Sequence, residues 1–511
     1  MAITMIILEQ DKNQNKLFFS LDDMIEQDNT VRLIDVVVKH IISLNPEVYN
    51  IRGLNTTGRP AFSPETLFKI YYYGCMNRIT TSRRLEKETH RNLELMWLIG
   101  DLKPDHKTIA DFRKNYKQLI KQFNLDVRKM LKDILLPESI TVATDGTKLK
   151  ANASKDMLSK SKMVKLLKRF ETEFEEYTKK LDIKDIEEET TEAHAKEINS
   201  EYAKNLLDMQ TKIDELKSKI SLLNSMNRNY LSLTDPDCKL MKSRYGMIPG
   251  YNAILTADTD YHLILSDYVC DASNDVNQLL PAQKALAEDL DIVPEVHTAD
   301  AGFCNLDDIN LIEANDKTEC YTPVPRGAGK DSEITFKYDK VNDCYICSQG
   351  KILKLKCKNK KAKKSTVNVY IGVSCKECEL MSICTKSKDG RNVSRFWNQD
   401  YRDEYKEKSL TEKAKEMSKL RKCTIEHIFG TMKLWLGKIP LLTIGLESVD
   451  TEIKIFSVAY NLKRLSNIMK LDNLIVKLEE RKAKILNVFD IFIIFVQNKV
   501  FQNIFAVLAT I

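Results

Sequence analysis

Three acidic residues lie far apart in this chain, each in a local setting suited to chemistry. Asp145 stands in ValAlaThrAspGlyThrLys (142–148), Asp300 in HisThrAlaAspAlaGlyPhe (297–303) and Glu426 in IleGluHisIlePheGlyThrMetLys (425–433). The first two end short β-branched or apolar runs that have the pattern of strands, and each is followed by a glycine, Gly146 or Gly302, where the backbone can turn. Acids at the carboxyl ends of strands in an α/β sheet lie where ligands bind. The third acid lies in a helical stretch with Lys433 seven residues on. Two strand-borne carboxylates and one helix-borne carboxylate can hold a pair of magnesium ions. Such a pair would clamp both oxygens of a phosphodiester during in-line displacement. A lone Asp or Glu is most often a solvated surface charge, so the shared context carries the reading. Positions 426, 429 and 433 share one helical face. That spacing sends Glu426 to the metals, packs Phe429 on the sheet and lets Lys433 reach a flanking phosphate. His427 then points away, and Trp435 falls to a core or interface role.

The second constellation is built from cysteine. Cys344 and Cys347 form one CxxC pair, Cys375 and Cys378 form another, and Cys384 follows. Four thiolates close a tetrahedral shell, so this spacing points to zinc, with five candidates for four places. Other cysteines, such as Cys75, Cys238 and Cys423, read as small core residues. The lysine-rich run 351–364 between the pairs has the composition of a solvated loop that could meet phosphates. A third group is basic: Arg78, Arg83, Arg84, Lys87 and Arg91 fall in a piece the size of a helix-turn-helix, which suits DNA contact.

These residues need elements to position them. The chain has 511 residues, long enough for two to four domains with sizeable cores. Its formal net charge is only +6 although 30% of residues are charged, so positive charge is local, as a DNA-binding face requires. Twelve cysteines without a secretory signal argue against a disulfide scaffold and for a reducing cytoplasm. Apolar spacing predicts helices over 31–44, 65–76 and 93–99, with Ser63-Pro64-Glu65 as a helix start and a further helix through 109–123. Residues 155–230 are Lys- and Glu-rich with apolar residues at helical intervals, the pattern of a helical hairpin or short coiled coil. Residues 251–269 alternate like two strands around an AspThrAsp turn at 258–260, followed by a helix over 277–290 and a strand over 295–299. The acids of this stretch, Asp258, Asp260, Asp267, Asp271 and Asp275, have the pattern of turn and surface acids. The apolar stretch 485–511 is interrupted by Asp490 and Lys499 and gives only weak support for a membrane helix.

The ordered motifs resemble those of bacterial insertion-sequence transposases of the DDE type. They are GlyArgProAlaPheSerPro (58–64), SerArgArgLeuGlu (82–86), ProAspHisLysThrIleAlaAspPheArg (104–113), ThrAspGlyThrLysLeuLysAlaAsnAlaSer (144–154), ThrAspProAspCysLysLeuMet (234–241), GlyTyrAsnAla (250–253), ArgLysCysThrIleGluHisIlePheGlyThrMetLys (421–433) and AlaTyrAsnLeuLysArgLeu (459–465). The resemblance runs from about residue 18 to about residue 470. It implies an α/β fold within a multidomain α+β chain, with a ribonuclease H-like mixed-sheet core. The divisions are a helical N-terminal DNA-binding domain (1–135), the catalytic core (136–154, 231–335 and 400–470), a helical insertion (155–230), a Cys-rich zinc-binding insertion (336–399) and a tail (471–511). It makes Asp145, Asp300 and Glu426 the ligands of two Mg²⁺ or Mn²⁺ ions, and Cys347, Cys375, Cys378 and Cys384 the zinc set, with Cys344 spare. It makes Arg421 and Lys433 DNA-contacting neighbours of the glutamate, beside Arg83, Arg84 and Lys87 in the N-terminal domain, and it keeps Asp275 as a supporting acid. The implied partners are terminal inverted repeats, target DNA and a second copy of the chain, with no membrane partner, in the bacterial cytoplasm at the nucleoid. The rival reading is a DNA-binding remnant that has lost catalysis.

Overall fold

The computed structural model describes residues 20–50, 61–154, 157–187, 195–232, 234–243, 246–325, 334–362, 365–437 and 441–486. Most of the predicted tail, 487–511, lies outside them. The N-terminal helices form where their caps predict. Ser63 accepts the Thr66 N–H at 3.2 Å to open Pro64–Met76, and Asp105 accepts the Thr108 N–H at 2.7 Å to open His106–Asn115. Helices Thr30–Leu44 and Leu93–Leu98 match their predicted spans closely. The single helix expected through 109–123 is instead two, His106–Asn115 and Lys117–Leu135. The break is at Tyr116, whose backbone leaves the helical region while its ring stacks on Phe112 at 5.5 Å.

A mixed sheet lies at the centre. Strand Thr141–Lys150 has antiparallel Gly246–Asp258 on one side. On its other side come parallel Val296–Ala299 and then parallel Glu319–Tyr321. The far edge of Gly246–Asp258 pairs antiparallel with Lys239–Ser243 near its start and with Ile264–Cys270 further along. The predicted order of strand, hairpin, helix and strand is the observed one, with Leu279–Leu290 as the helix. Asp258 is a buried acid that holds the hairpin turn, accepting the N–H groups of Asp260, Tyr261 and Leu263.

Helix Glu412–Leu436 packs across the sheet by a buried stripe of Ile425, Ile428, Phe429 and Met432. Helix Leu446–Ile468 is buried nearly all round and covers the edge strand. Its polar side chains complete that strand's hydrogen bonding: Asn461 both accepts from the Ile264 N–H (2.8 Å) and donates to its carbonyl (2.9 Å), and Asp450 accepts from the Val269 N–H (3.0 Å). An otherwise unpaired strand edge is thereby covered. The N-terminal helices share one hydrophobic cluster with the sheet and these helices, running from Phe68 and Phe123 through Val142 and Leu255 to Ile425 and Phe456.

Two further units stand apart from that cluster. Helices Lys160–Glu187 and Ala195–Ser225 form the hairpin expected in 155–230. Its base is closed by pairing of Leu158–Ser159 with Tyr230–Leu231 and by a small core of Met163, Leu223 and Leu231. The Cys-rich segment is a five-stranded antiparallel sheet around Tyr345, Leu353 and Tyr370. Here the lysine-rich run differs from its expected loop form: Ile352–Ala362 is a strand, paired with Ser365–Gly372. Alternating Leu353 and Leu355 supply an inward face that composition alone hides under the lysines. Among the described residues no helix is long and apolar enough to cross a membrane.

Candidate active site

The register of the central strands sets the site. Thr144 pairs with Ala299 across the parallel strands, so Asp145 and Asp300 follow side by side. Asp300 then caps a short 3₁₀ turn, Ala301–Phe303, with its Oδ1 accepting the Gly302 N–H at 2.7 Å. Asp145 does not end its strand as the sequence suggests. The strand runs on to Lys150, and Gly146 is an extended residue rather than a turn. The structural reason for this glycine is space: a Cβ on Gly146 would lie 2.6 Å from Asp275 Oδ1 and 3.0 Å from Ile254 Cδ1. A Cβ on Gly302 would lie 2.9 Å from Asp300 Oδ1 and 3.5 Å from Asp275 Oδ2. Gly146 therefore makes room for Asp275 beside Asp145, and Gly302 makes room for the Asp300 carboxylate that caps its own turn.

Asp275 is held on its Oδ1 by Lys148 Nζ at 2.9 Å and Asn252 Nδ2 at 2.6 Å. Asp145 accepts the Gly146 N–H on Oδ1 at 2.7 Å and Arg421 Nη1 on Oδ2 at 2.6 Å. Burial pushes the Asp145 carboxyl up to about 6. The Asp300 charge adds to this, while Arg421 opposes it. Arg421, expected at the DNA, is instead buried against Asp145, with its side chain 9% exposed. Its Nε has no hydrogen-bond partner among the described residues.

Glu426 lies on the same helix as Arg421 but on its exposed side, as do Lys422 and Lys433. Phe429 is buried, as the helical spacing predicts, and Trp435 packs on Phe456 with ring centroids 5.9 Å apart. His427 turns to the Tyr460 hydroxyl at 3.1 Å. The structure thus brings Asp145, Asp300 and Asp275 together and places Glu426 on the helix above them. Among the described residues, no group of three or more His, Cys, Asp or Glu side chains is drawn close enough to hold a metal ion.

Several motif residues have roles that the sequence reading did not assign. The Tyr251 hydroxyl donates to Asp235 at 2.7 Å, Asp237 accepts the Leu446 N–H at 3.0 Å, and Arg464 donates to the Tyr261 carbonyl at 2.7 Å. Behind the acids, buried His297 joins Thr144 (2.7 Å) and Gln283 (2.8 Å), and burial holds its imidazole neutral, down to about 3. For Thr144 and His297 the signal was a polar residue inside an otherwise apolar strand.

In the second sheet, Cys347, Cys375, Cys378 and Cys384 line one cavity of about 20 Å³ with Phe336, Leu353 and Arg391. Cys344 is buried and does not line it. The Cys375–Glu377 turn leads straight to Cys378, and Gly350 (φ 71°) turns the chain after Cys347 by donating to its carbonyl at 2.8 Å. A side chain at Gly372 would collide with the Cys375 sulfur. Cys423 is exposed, against the expectation of a core residue.

In the N-terminal helices, Arg83, Arg84 and Lys87 are exposed on Ser82–Thr89, while Arg91 is paired with Glu88.

Residues 19–115 match a family model described as a transposase domain (DUF772), and residues 346–466 match a transposase DDE domain. The first range contains the basic helix, and the second contains the four cysteines and Glu426; Asp145 and Asp300 fall between them. No curated protein matches the chain. A solved structure similar over 88% of this chain and 78% of its own is a piggyBac transposase synaptic complex with hairpin DNA. Its identity to this chain is 11% and its TM-score 0.32.

Proposed function

By its two matched domains this chain is a DDE transposase, and we propose that it cleaves DNA at the ends of an insertion sequence and joins those ends to target DNA. The observation that carries the reading is the side-by-side placement of Asp145 and Asp300 beneath the helix that bears Glu426. The central sheet supports a ribonuclease H-like core: an antiparallel hairpin on one side of the Asp145 strand and two parallel strands on the other.

The neighbouring aspartates suit divalent magnesium or manganese, since hard carboxylate oxygens prefer these ions and mutual repulsion of Asp145 and Asp300 favours a cation between them. Asp145 and Asp300 would hold such ions, with Asp275 in support, and Glu426, which faces out from its helix, would complete the set only when that helix shifts onto the site. Bound there, such ions would assist deprotonation of a water or of a DNA 3′-hydroxyl and would stabilise the leaving oxygen. The chain's own part is positioning. The Gly146 and Gly302 N–H groups orient the two aspartates, and Lys148 and Asn252 fix Asp275. Exposed Lys433 would meet a flanking phosphate, and Arg83, Arg84 and Lys87 would hold the terminal repeats through their phosphates. Cys347, Cys375, Cys378 and Cys384 would hold one structural zinc by drawing in around the cavity that they share, since soft thiolates suit that ion. Two DNA ends must be handled together, which calls for a homodimer acting at the nucleoid.

The test is cleavage of end-containing DNA by the full chain in Mg²⁺. Asp145→Asn, Asp300→Asn and Glu426→Gln should each abolish cleavage and leave DNA binding in place. A residue whose variant cleaves at near-normal rate is no ligand. Binding without cleavage in the unaltered protein would identify a remnant that has lost catalysis.

A further inference from the structure

Arg421 takes no part in the proposed chemistry. Its guanidinium is buried, bonds Asp145 Oδ2 at 2.6 Å, and leaves Nε without a partner. Burying an arginine is costly unless it is fully paired, so its place against a carboxylate of the site asks for a reason. The site supplies one. Asp145 and Asp300 are neighbours on parallel strands, and Asp275 packs against Gly146 close enough for its charge to act on Asp145. Three carboxylates so placed repel one another when no external cation is present. Two internal cations answer them: Lys148 on Asp275 and Arg421 on Asp145.

The two cations are not equivalent. Lys148 comes from the sheet itself, three residues along the Asp145 strand, and shares Asp275 Oδ1 with Asn252. Arg421 comes from a different element, the helix Glu412–Leu436, which also carries Glu426. Both Asp145 oxygens are engaged by the chain itself, Oδ1 by the Gly146 N–H and Oδ2 by Arg421. A cation approaching Asp145 must therefore share or displace the guanidinium.

We propose that Arg421 is an internal counter-cation for Asp145 that holds the carboxylates together in the metal-free protein and competes with the divalent ion for Asp145 Oδ2. The proposal rests on Asp145 and Asp300 being metal ligands. Arg421 is then a positioning residue that sets how tightly metal is held, not a reader of DNA. Because it sits on the Glu426 helix, its release on metal entry links occupancy of the aspartates to the seating of that helix.

The test measures Mn²⁺ binding to the full-length chain at pH 8 by the loss of free-ion electron paramagnetic resonance signal, with no DNA present. The variants are Arg421→Gln, Arg421→Lys and Asp145→Asn. Removing one positive charge beside a divalent site should tighten Mn²⁺ binding about tenfold in Arg421→Gln. Arg421→Lys, which keeps the charge, should stay near the unaltered protein. The metal-free melting temperature of Arg421→Gln should fall, and saturating Mn²⁺ should restore more of it than in the unaltered chain. Binding by Arg421→Gln that is unchanged or weaker overturns the proposal. Should Arg421→Gln fail to fold, the Arg421 guanidinium resonance in the unaltered chain decides: a shift on Mg²⁺ addition supports displacement, and no shift overturns it. If Asp145→Asn binds Mn²⁺ as well as the unaltered chain, the assignment of Asp145 as a ligand has failed instead.

Discussion

Replacing Gly146 by alanine tests whether the site is packed as described. On an extended strand, Gly→Ala would ordinarily stabilise by about 0.5–1 kcal/mol, because the unfolded chain loses freedom. Here the new Cβ would lie 2.6 Å from Asp275 Oδ1, 3.0 Å from Ile254 Cδ1 and 3.1 Å from Asn252 Oδ1. The carboxylate cannot simply swing aside, since that same oxygen is held by Lys148 at 2.9 Å and Asn252 at 2.6 Å. Displacing it breaks charge-assisted bonds, so the net effect should be destabilisation of about 1–3 kcal/mol, in the range of overpacked cores. Urea unfolding of the full metal-free chain measures this. A double-mutant cycle with Asp275→Ala isolates the cause: with the carboxylate gone, the alanine should become neutral or stabilising, giving a coupling of at least about 1 kcal/mol. Gly146→Ala that is as stable as the unaltered protein would refute the argument. So would additivity with Asp275→Ala.

Three other outcomes follow from the same geometry. Because the Asp145 carboxyl is raised from 3.8 to about 6, the folded metal-free chain holds a proton that the unfolded chain releases. The stability from this group is fully present below about pH 4 and is lost as pH rises through 6, about 3 kcal/mol in all. In metal-free urea unfolding, Asp145→Asn should therefore gain stability relative to the unaltered chain between pH 4 and 7.5; a pH-independent difference would show that burial does not hold the proton. Protein purified without chelator should carry about one zinc per chain. Cys378→Ser should lose it and Cys344→Ser should keep it, because Cys344 lies outside the shared cavity; zinc lost equally from both would break the assignment. Arg83→Ala with Arg84→Ala in the full chain should make the salt dependence of end-DNA binding shallower, by a slope of about 2. An unchanged slope would leave these arginines as solvated surface.

Chemistry and element type were legible in the residues themselves. Caps at Ser63 and Asp105, apolar spacing and the β-branched runs before Asp145 and Asp300 report local preferences, and these held in the helices and central strands. The paired CxxC spacing located the thiols that come to line one cavity. Patterns that depend on neighbours from elsewhere in the chain were not legible. Gly146 looked like a turn because glycine permits one; only the sheet shows that it makes room for Asp275, distant in sequence. The lysine-rich run looked like a loop because charge dominates its composition, while pairing with Ser365–Gly372 makes it a strand. Arg421 looked like a DNA contact because it flanks Glu426. Helical geometry separates the two, since five residues are about 140° of rotation, and so sends Arg421 inward to Asp145 while Glu426 faces out. The sequence thus determined which groups this protein has for its chemistry. The tertiary structure decided which of them meet, because burial and charge pairing are properties of surfaces that only folding brings together.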